Sequence, residues 1–370
     1  MYVYACAKFF RSKYSLIAAK LNNDSCGSAC HMSDFEKVVD TILGRWRSQI
    51  LYAGVKLGVF ESLVGQTAKR ASDIASELTL DPILAYRLLR ALASIGFLKE
   101  KDGQMFSLTP LGDLVRKDHP QTLRGVVLLE EGPEHYAIWK HLVPMVRDGK
   151  QDGFLREFGT RIFDYMPQNP EYAEVFNYAM SSYSATHTRW VLEALKDFDF
   201  SKIRTLCDIG GGHGHLLCNL LVEHPQLKGT VLELEPTIRD KELLWATKME
   251  LASRCSYIAG DMFREVPESD AYIMKMILHD WSDEECIRIL SNIQKAAPSG
   301  GRVLIVEHIV PDPHTPHFSK LFDIHMMCAL SGRERTEKEY ADLMKSAGLE
   351  YVRTHYPQSR AIGVIEGTKR

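Results

Sequence analysis

TLCDIGGGHGH, from Thr205 to His215, decides how this chain of 370 residues folds. It reads as a buried strand ending at Asp208, a glycine turn and the start of a helix. Gly210, Gly212 and Gly214 fall in a G-x-G-x-G spacing, close to the dinucleotide fingerprint G-x-G-x-x-G but not identical to it. Glycine is required where backbone takes a positive φ or approaches a ligand closely. An acid about 20 positions later, at the end of the next strand, accepts ribose hydroxyls in such units. Glu233 in TVLELEP stands there.

Outward from this turn, strands and helices alternate. Strands are expected at 203–208, 230–234, 256–259, 271–277 and 302–308, with helices at 214–223, 237–251 and 283–297. That alternation predicts an α/β doubly wound, Rossmann-like parallel sheet whose ligands bind at the carboxyl ends of the strands. Two last strands, Tyr351–Tyr356 and Ala361–Glu366, lie close enough in sequence for an antiparallel hairpin.

Upstream, apolar residues recur at helical spacing from Asp34 to about Leu63. ASDIASEL reads as a short helix capped by Ser72, and LDPILAYRLLRALASIGF as a second, with Asp81 as cap, Pro82 in its first turn and Gly96 near its end. Two short strands around Asp102-Gly103 complete a winged-helix unit. A winged helix raises DNA binding as an alternative. The second helix offers only Arg87 and Arg90 among Ile83, Leu84, Leu88, Leu89 and Leu92, mostly core, whereas phosphate binding needs several cations. Residues 120–200 look helical, and Phe176, Met180 and Tyr183 share one face that either packs between helices or walls a pocket over the glycine turn. The expected domains are an extension over 1–32, a winged-helix domain over 33–125, a connector and pocket wall over 126–200, and a catalytic domain over 201–370.

Composition is that of an ordinary globular protein, with 45% apolar and 25% charged residues. A net charge of −3 gives no basic field for nucleic acid or anionic lipid, and no run of 18 apolar residues predicts a membrane span. The first 31 residues carry net +3 against −6 for the remainder. That suits either an organelle-targeting peptide or a disordered extension before Met32. Of eight cysteines, five are scattered singly through apolar or helical stretches with no disulfide-framework spacing, which suits a reducing, cytoplasmic setting. Cys26, Cys30 and His31 have no fourth ligand nearby and read as plain thiols and a histidine.

The ends of the expected strands collect chemistry: Asp208 with the glycines, Glu233, Asp261-Met262, then Lys275 through His279-Asp280-Trp281, and Glu307. A histidine at a strand end among carboxylates is a candidate general base. Acidic strand ends suit a cationic ligand such as S-adenosylmethionine better than an anionic dinucleotide. The runs LCDIGGGHGH, LELEP, GDMF, MKMILHDWSDEEC, LIVEHIVPD and SGRERTEKEY resemble the small-molecule O-methyltransferases of the plant phenolic and acetylserotonin type, over about residues 34 to 368.

This resemblance implies S-adenosyl-L-methionine as cofactor, a small aromatic substrate with a hydroxyl, and a homodimer through the N-terminal helices. It places the proton acceptor at His279, with Glu307 and Glu334 orienting it. Cofactor contacts fall on Gly210, with its neighbours Asp208 and Gly212, and on Glu233, Asp261, Met262, Lys275, Trp281 and Ser184. Asp280, Phe176, Met180 and Met326 are candidates for the substrate wall, with flexible thioethers around a flat guest. Two features depart from the family: Glu233 replaces the usual aspartate, and the sequence after that strand is Glu-Leu-Glu-Pro. His279, Asp280 and His325, if they converged, could instead hold a non-haem metal, as in atypical C-methylating relatives.

Overall fold

The computed structural model describes residues 32–65 and 67–370. The basic segment, with Cys6, Cys26, Cys30 and His31, lies outside the described residues. Two compact units divide between Glu131 and Gly132, so residues 132–200 belong to the same unit as the large sheet.

The first unit opens with helix α1 (Asp34–Ile42), started by a capping box in which Ser33 and Glu36 satisfy each other's backbone N–H groups. Helix α2 (Gly44–Lys56) follows. Val38, Ile42 and Trp46 are 59%, 67% and 57% exposed, an apolar stripe at helical spacing. The winged-helix pattern is present. Helices α3 (Ala71–Glu77) and α4 (Pro82–Ser94) lie between the first two strands of a three-stranded sheet, order β1-β3-β2, with β1 Lys69–Arg70, β2 Leu98–Lys101 and β3 Met105–Leu108. Asp81 caps α4 by accepting from the Leu84 N–H at 2.8 Å.

Two expectations need correction here. Ser72 lies inside α3 and does not cap it, because the chain enters the helix straight from β1, with the Ala71 N–H donating to the Gln104 carbonyl at 3.0 Å. Ile83 and Leu84 are not core but exposed; the buried side of α4 is Ala85, Leu89 and Leu92.

The second unit holds a seven-stranded sheet in the order β6-β5-β4-β7-β8-β10-β9. Strands β4 (Thr205–Ile209), β5 (Lys228–Glu233), β6 (Cys255–Ala259), β7 (Ala271–Lys275) and β8 (Arg302–Glu307) are parallel. The final pair, β9 (Glu350–His355) and β10 (Gly363–Thr368), is antiparallel, with β10 between β8 and β9. Strand order reverses at β4, between β5 and β7, which is where this class of sheet opens a ligand crevice.

Helices α5 (Pro170–Ala194) and α6 (His215–Glu223) cover one face, burying Val191, Leu217, Leu220 and Leu221. On the other, α7 (Asp283–Ala296) and α9 (Glu337–Ser346) bury Ile289, Leu290, Ile293, Tyr340 and Met344; α8 (Phe318–Ala329) precedes α9. Each such aliphatic side chain contributes roughly 1.5–3 kcal/mol on burial.

The single helix expected at 237–251 is instead two short ones, Glu235–Ile238 and Trp245–Lys248. The Asp240 carboxylate takes the Glu242 N–H at 3.0 Å and turns the chain between them. Among the described residues no helix is long and apolar enough to cross a membrane.

Candidate active site

The glycine turn leaves β4 with Gly210, Gly212 and Gly214 at φ 65°, 57° and 85°, conformations open to glycine at little cost. Gly211 is needed for a different reason: a Cβ there would lie 2.5 Å from the Asp208 carboxylate. Glu233 folds back onto the turn and accepts the Gly212 N–H at 2.9 Å and the Leu234 N–H at 2.7 Å. Burial nevertheless holds its carboxyl above the ordinary range. Burial pushes Asp208 up to about 7, with Lys275 opposing and Glu233 adding to the rise. The Oδ2 atom of Asp208 is buried without a hydrogen-bond partner.

Further along the crevice, Asp261 Oδ1 accepts the Phe263 N–H at 2.9 Å, and Asn292 donates to the Met262 carbonyl at 2.9 Å. Trp281 stacks on Phe163 at 5.7 Å and meets Phe263 edge-on at 4.7 Å, while its indole N–H is buried without an acceptor. Ser184 is half-buried on α5, and Lys275 ends β7 with no ion pair among the described residues. Burial lowers the Lys275 ammonium, against the pull of Asp208 and Glu307.

The other half of the site begins where β7 ends. Met276 takes a positive φ of 54°, an uncommon conformation for a side-chain-bearing residue, and turns the chain into Leu278–Asp280. Glu307 Oε1, at the end of β8, receives the N–H groups of Ile277, Leu278 and His279 at 3.2, 2.9 and 3.4 Å. His279 Nδ1 lies 2.8 Å from Glu334 Oε1 and 3.8 Å from Glu307 Oε2, and Nε2 lies 3.3 Å from Asp280 Oδ1. Burial alone would lower the ring's pKa; Glu307, Asp280 and Glu334 outweigh it and raise it to about 10. Burial pushes Asp280 up to about 6 and Glu307 up to about 7; His279 opposes both rises and Glu334 adds to both.

Two residues that hold this half together were not singled out from sequence. A Cβ on Gly332 would sit 2.0 Å from the His279 carbonyl oxygen, so only glycine lets the two segments touch. Arg335, fully buried, donates to the carbonyls of Leu278 and Trp281 at 2.9 and 2.8 Å and to Asp283 at 2.8 Å, which fixes the segment on both sides of His279. The run S-G-R-E-R-T carries both residues, but nothing within it shows what they touch.

The structure thus brings His279, Asp280, Glu307 and Glu334 together. It does not assemble the metal alternative of His279, Asp280 and His325. The Phe322 ring lies against both histidines, at 5.9 Å from His279 and stacked on His325 at 5.4 Å. Among the candidates for the substrate wall, Phe176 is half-buried against Phe163 and Tyr172, Met180 is 37% exposed, and Met326 is buried at 3%.

Comparison with known proteins matches residues 139–350 to an O-methyltransferase domain and residues 39–118 to an O-methyltransferase dimerisation domain. A phenazine O-methyltransferase from Lysobacter antibioticus is 34% identical over 330 residues, covering 89% of this chain and 94% of its own. The solved structure of mitomycin 7-O-methyltransferase has a TM-score of 0.82 at 30% identity, covering 90% of this chain and 97% of that one. Human N-acetylserotonin methyltransferase in complex with SAM has a TM-score of 0.79 at 25% identity, covering 92% and 99%.

Proposed function

The chain belongs to the O-methyltransferase family and is an S-adenosylmethionine-dependent enzyme of it, and from this premise we propose that it methylates a hydroxyl of a small aromatic metabolite with His279 taking the hydroxyl proton. The observation that carries this reading is the 2.8 Å contact from Nδ1 of His279 to Glu334, which fixes the ring and leaves Nε2 for the substrate.

The residues present fit the cofactor. Asp208 keeps a buried oxygen without a partner beside a turn that admits no Cβ at Gly211, and carboxylates at three neighbouring strand ends favour a cation. Asp208, Gly210, Gly212 and Glu233 would hold the amino-acid and ribose portions. Asp261, Met262 and Trp281 would hold the adenine, with Lys275 and Ser184 alongside. When bound, S-adenosylmethionine supplies a methyl group on a cationic sulfur.

The chain's own residues do the rest. A phenol has a pKa of about 10, so at neutral pH it must lose its proton as the new bond forms. The carboxylates around the ring raise its conjugate acid to about 10, so the ring holds the proton once it has taken it, and it serves as base from its neutral form, a fraction that grows as pH rises towards 10. Glu334 keeps the Nδ1 hydrogen, Glu307 holds the turn that carries the ring, and Asp280 borders Nε2 where the hydroxyl would arrive. Holding two reactants in line supplies several kcal/mol by itself.

The dimerisation-domain match and the exposed stripe of Val38, Ile42 and Trp46 support a homodimer formed through the first unit. The direct test is transfer of an isotope-labelled methyl group over a panel of phenols, hydroxyindoles and hydroxylated aza-aromatics, each beside its deoxy analogue. Label on the hydroxyl oxygen of at least one compound, and none on its deoxy analogue, is expected. Label found only on carbon or nitrogen would overturn the reading.

A further inference from the structure

We propose that the buried carboxyl of Glu307, packed beside Glu334, holds a proton in the free protein, and that binding of cationic S-adenosylmethionine expels it. The geometry is unusual for two ionised acids. One oxygen of each, with a ring nitrogen of His279, lies within 4.8 Å of the others, and all three residues are buried. Both Glu307 Oε2 and Glu334 Oε2 are buried with no hydrogen-bond partner. The donors all go to the Oε1 atoms, three backbone N–H groups to Glu307 and the ring to Glu334, so Glu307 Oε2, out of water beside a second carboxyl, is where a proton is retained.

The groups facing the pair supply fewer cations than acids. His279 lies against both and can offset one charge, but Asp280 on its far side adds a third carboxyl. From α5, His187 is pushed well down by burial and then by Lys275, and from the end of β8 His308 is pushed down by burial, so both face the centre neutral. Tyr340 on α9 is pushed well up by burial and stays neutral. The Arg335 guanidinium is engaged with Asp283 and two carbonyls. Lys275 at the end of β7 is drawn by both Asp208 and Glu307, so its one charge is divided between two acids. The strand ends therefore carry an excess of acid that only an arriving cation relieves.

The step is a simple dissociation. The carboxyl O–H bond breaks, its electron pair stays on the oxygen, and the proton passes to buffer. In the free protein Glu307 holds the proton up to about pH 7, where burial places it. Binding a cation lowers that value, so affinity for the cation rises with pH below about 7 and levels above it, with a limiting slope of about tenfold per pH unit for one proton.

The inference rests on the cofactor site proposed above, not on His279 acting as a base. Titration calorimetry with S-adenosylmethionine and with its product S-adenosylhomocysteine, which lacks the sulfonium charge, in buffers of different ionisation enthalpy from about pH 5 to about pH 8, tests it without turnover. The expected result is proton release with the cation, little with the neutral thioether, and an affinity ratio that climbs with pH. The same titrations on Glu307→Gln and Glu334→Gln should lose the released proton while homocysteine-product binding, within about threefold of wild type, shows that each variant is folded. A flat ratio in wild type overturns the proposal. So does release that persists in both variants but vanishes in Asp208→Asn, which would assign the proton to the glycine-turn side. Undisturbed proton release in a protein inactive towards every hydroxyl would leave this inference standing and remove the proposed reaction.

Discussion

The two halves of the crevice are built from different materials. The glycine-turn half is backbone: three positive-φ glycines, a strand end and an acid that receives two N–H groups, all within residues 205–234. The histidine half is side chain. Its ring is clamped by residues 28 and 55 positions away, and its turn is held by a buried arginine 57 positions from Leu278. A backbone site is specified by short-range spacing, and a side-chain site only by the completed fold. Damage to the first should therefore appear as lost cofactor affinity, and damage to the second as lost turnover with affinity kept.

That division can be broken by substitution. The largest effect is expected for His279→Gln: turnover falls by about 100-fold or more, while S-adenosylhomocysteine affinity, measured by calorimetry, stays near wild type. Near-normal turnover in this variant removes the ring from the proton-accepting role. Next is Gly332→Ala. Its methyl would meet the His279 carbonyl at 2.0 Å, so the ring-bearing turn must shift, and roughly 30-fold in kcat is expected, since a displacement near 1 Å can cost 100-fold. An unchanged kcat would show that the turn tolerates displacement.

Gly211→Ala probes the other half. Its Cβ would sit 2.5 Å from the Asp208 carboxylate, and the expected result is about tenfold weaker cofactor binding with kcat at saturation largely retained. A kcat loss as large as that of Gly332→Ala, at saturating cofactor, would erase the distinction between the halves.

The same contrast explains what could be read before the fold was known. TLCDIGGGHGH and Glu233 announce themselves because the turn needs glycine and the acid follows at a fixed interval. The five parallel strands were legible as short apolar runs with punctuation between them, and the last two as a close pair. Local chemistry misled where tertiary pairing intervened. Ser72 has the composition of a cap, but β1 delivers the chain directly into α3. Ile83 and Leu84 look like core on a helical wheel, yet they face outward on the unit that matches a dimerisation domain. Around His279, family resemblance supplied the two glutamates. The need for Gly332 and Arg335 appears only once the segment before α9 lies against residues 278–281, a contact that no residue interval encodes.

The smallest expected effect is on stability, and its sign is opposite to the usual behaviour of buried acids in ion pairs. Asp208 and Glu307 are each held near 7 in the fold, above the unfolded carboxyl range, through burial. At these two carboxyls the folded state therefore binds more protons than the unfolded state between about pH 4.5 and about pH 7, and the histidines that burial pushes down, His187 and His308 among them, oppose this below about pH 6.5. Stability contributed by these protons is present at the acid end of that window and lost as pH rises through it. His279 acts in the same direction at higher pH, because its three carboxylates overcome burial and raise it to about 10, so its contribution falls away from about pH 6.5 upward. The protein without cofactor should thus melt a few degrees lower, about 2–4 °C, at pH 8 than at pH 6. S-adenosylmethionine should narrow that gap, and S-adenosylhomocysteine should leave it, because only the former brings a charge that replaces the lost protons. Melting curves for the three states settle the matter: a free protein more stable at pH 8 than at pH 6 would mean that the histidine half is already charge-balanced, and that both halves of the crevice meet the cofactor as fixed, unprotonated acids.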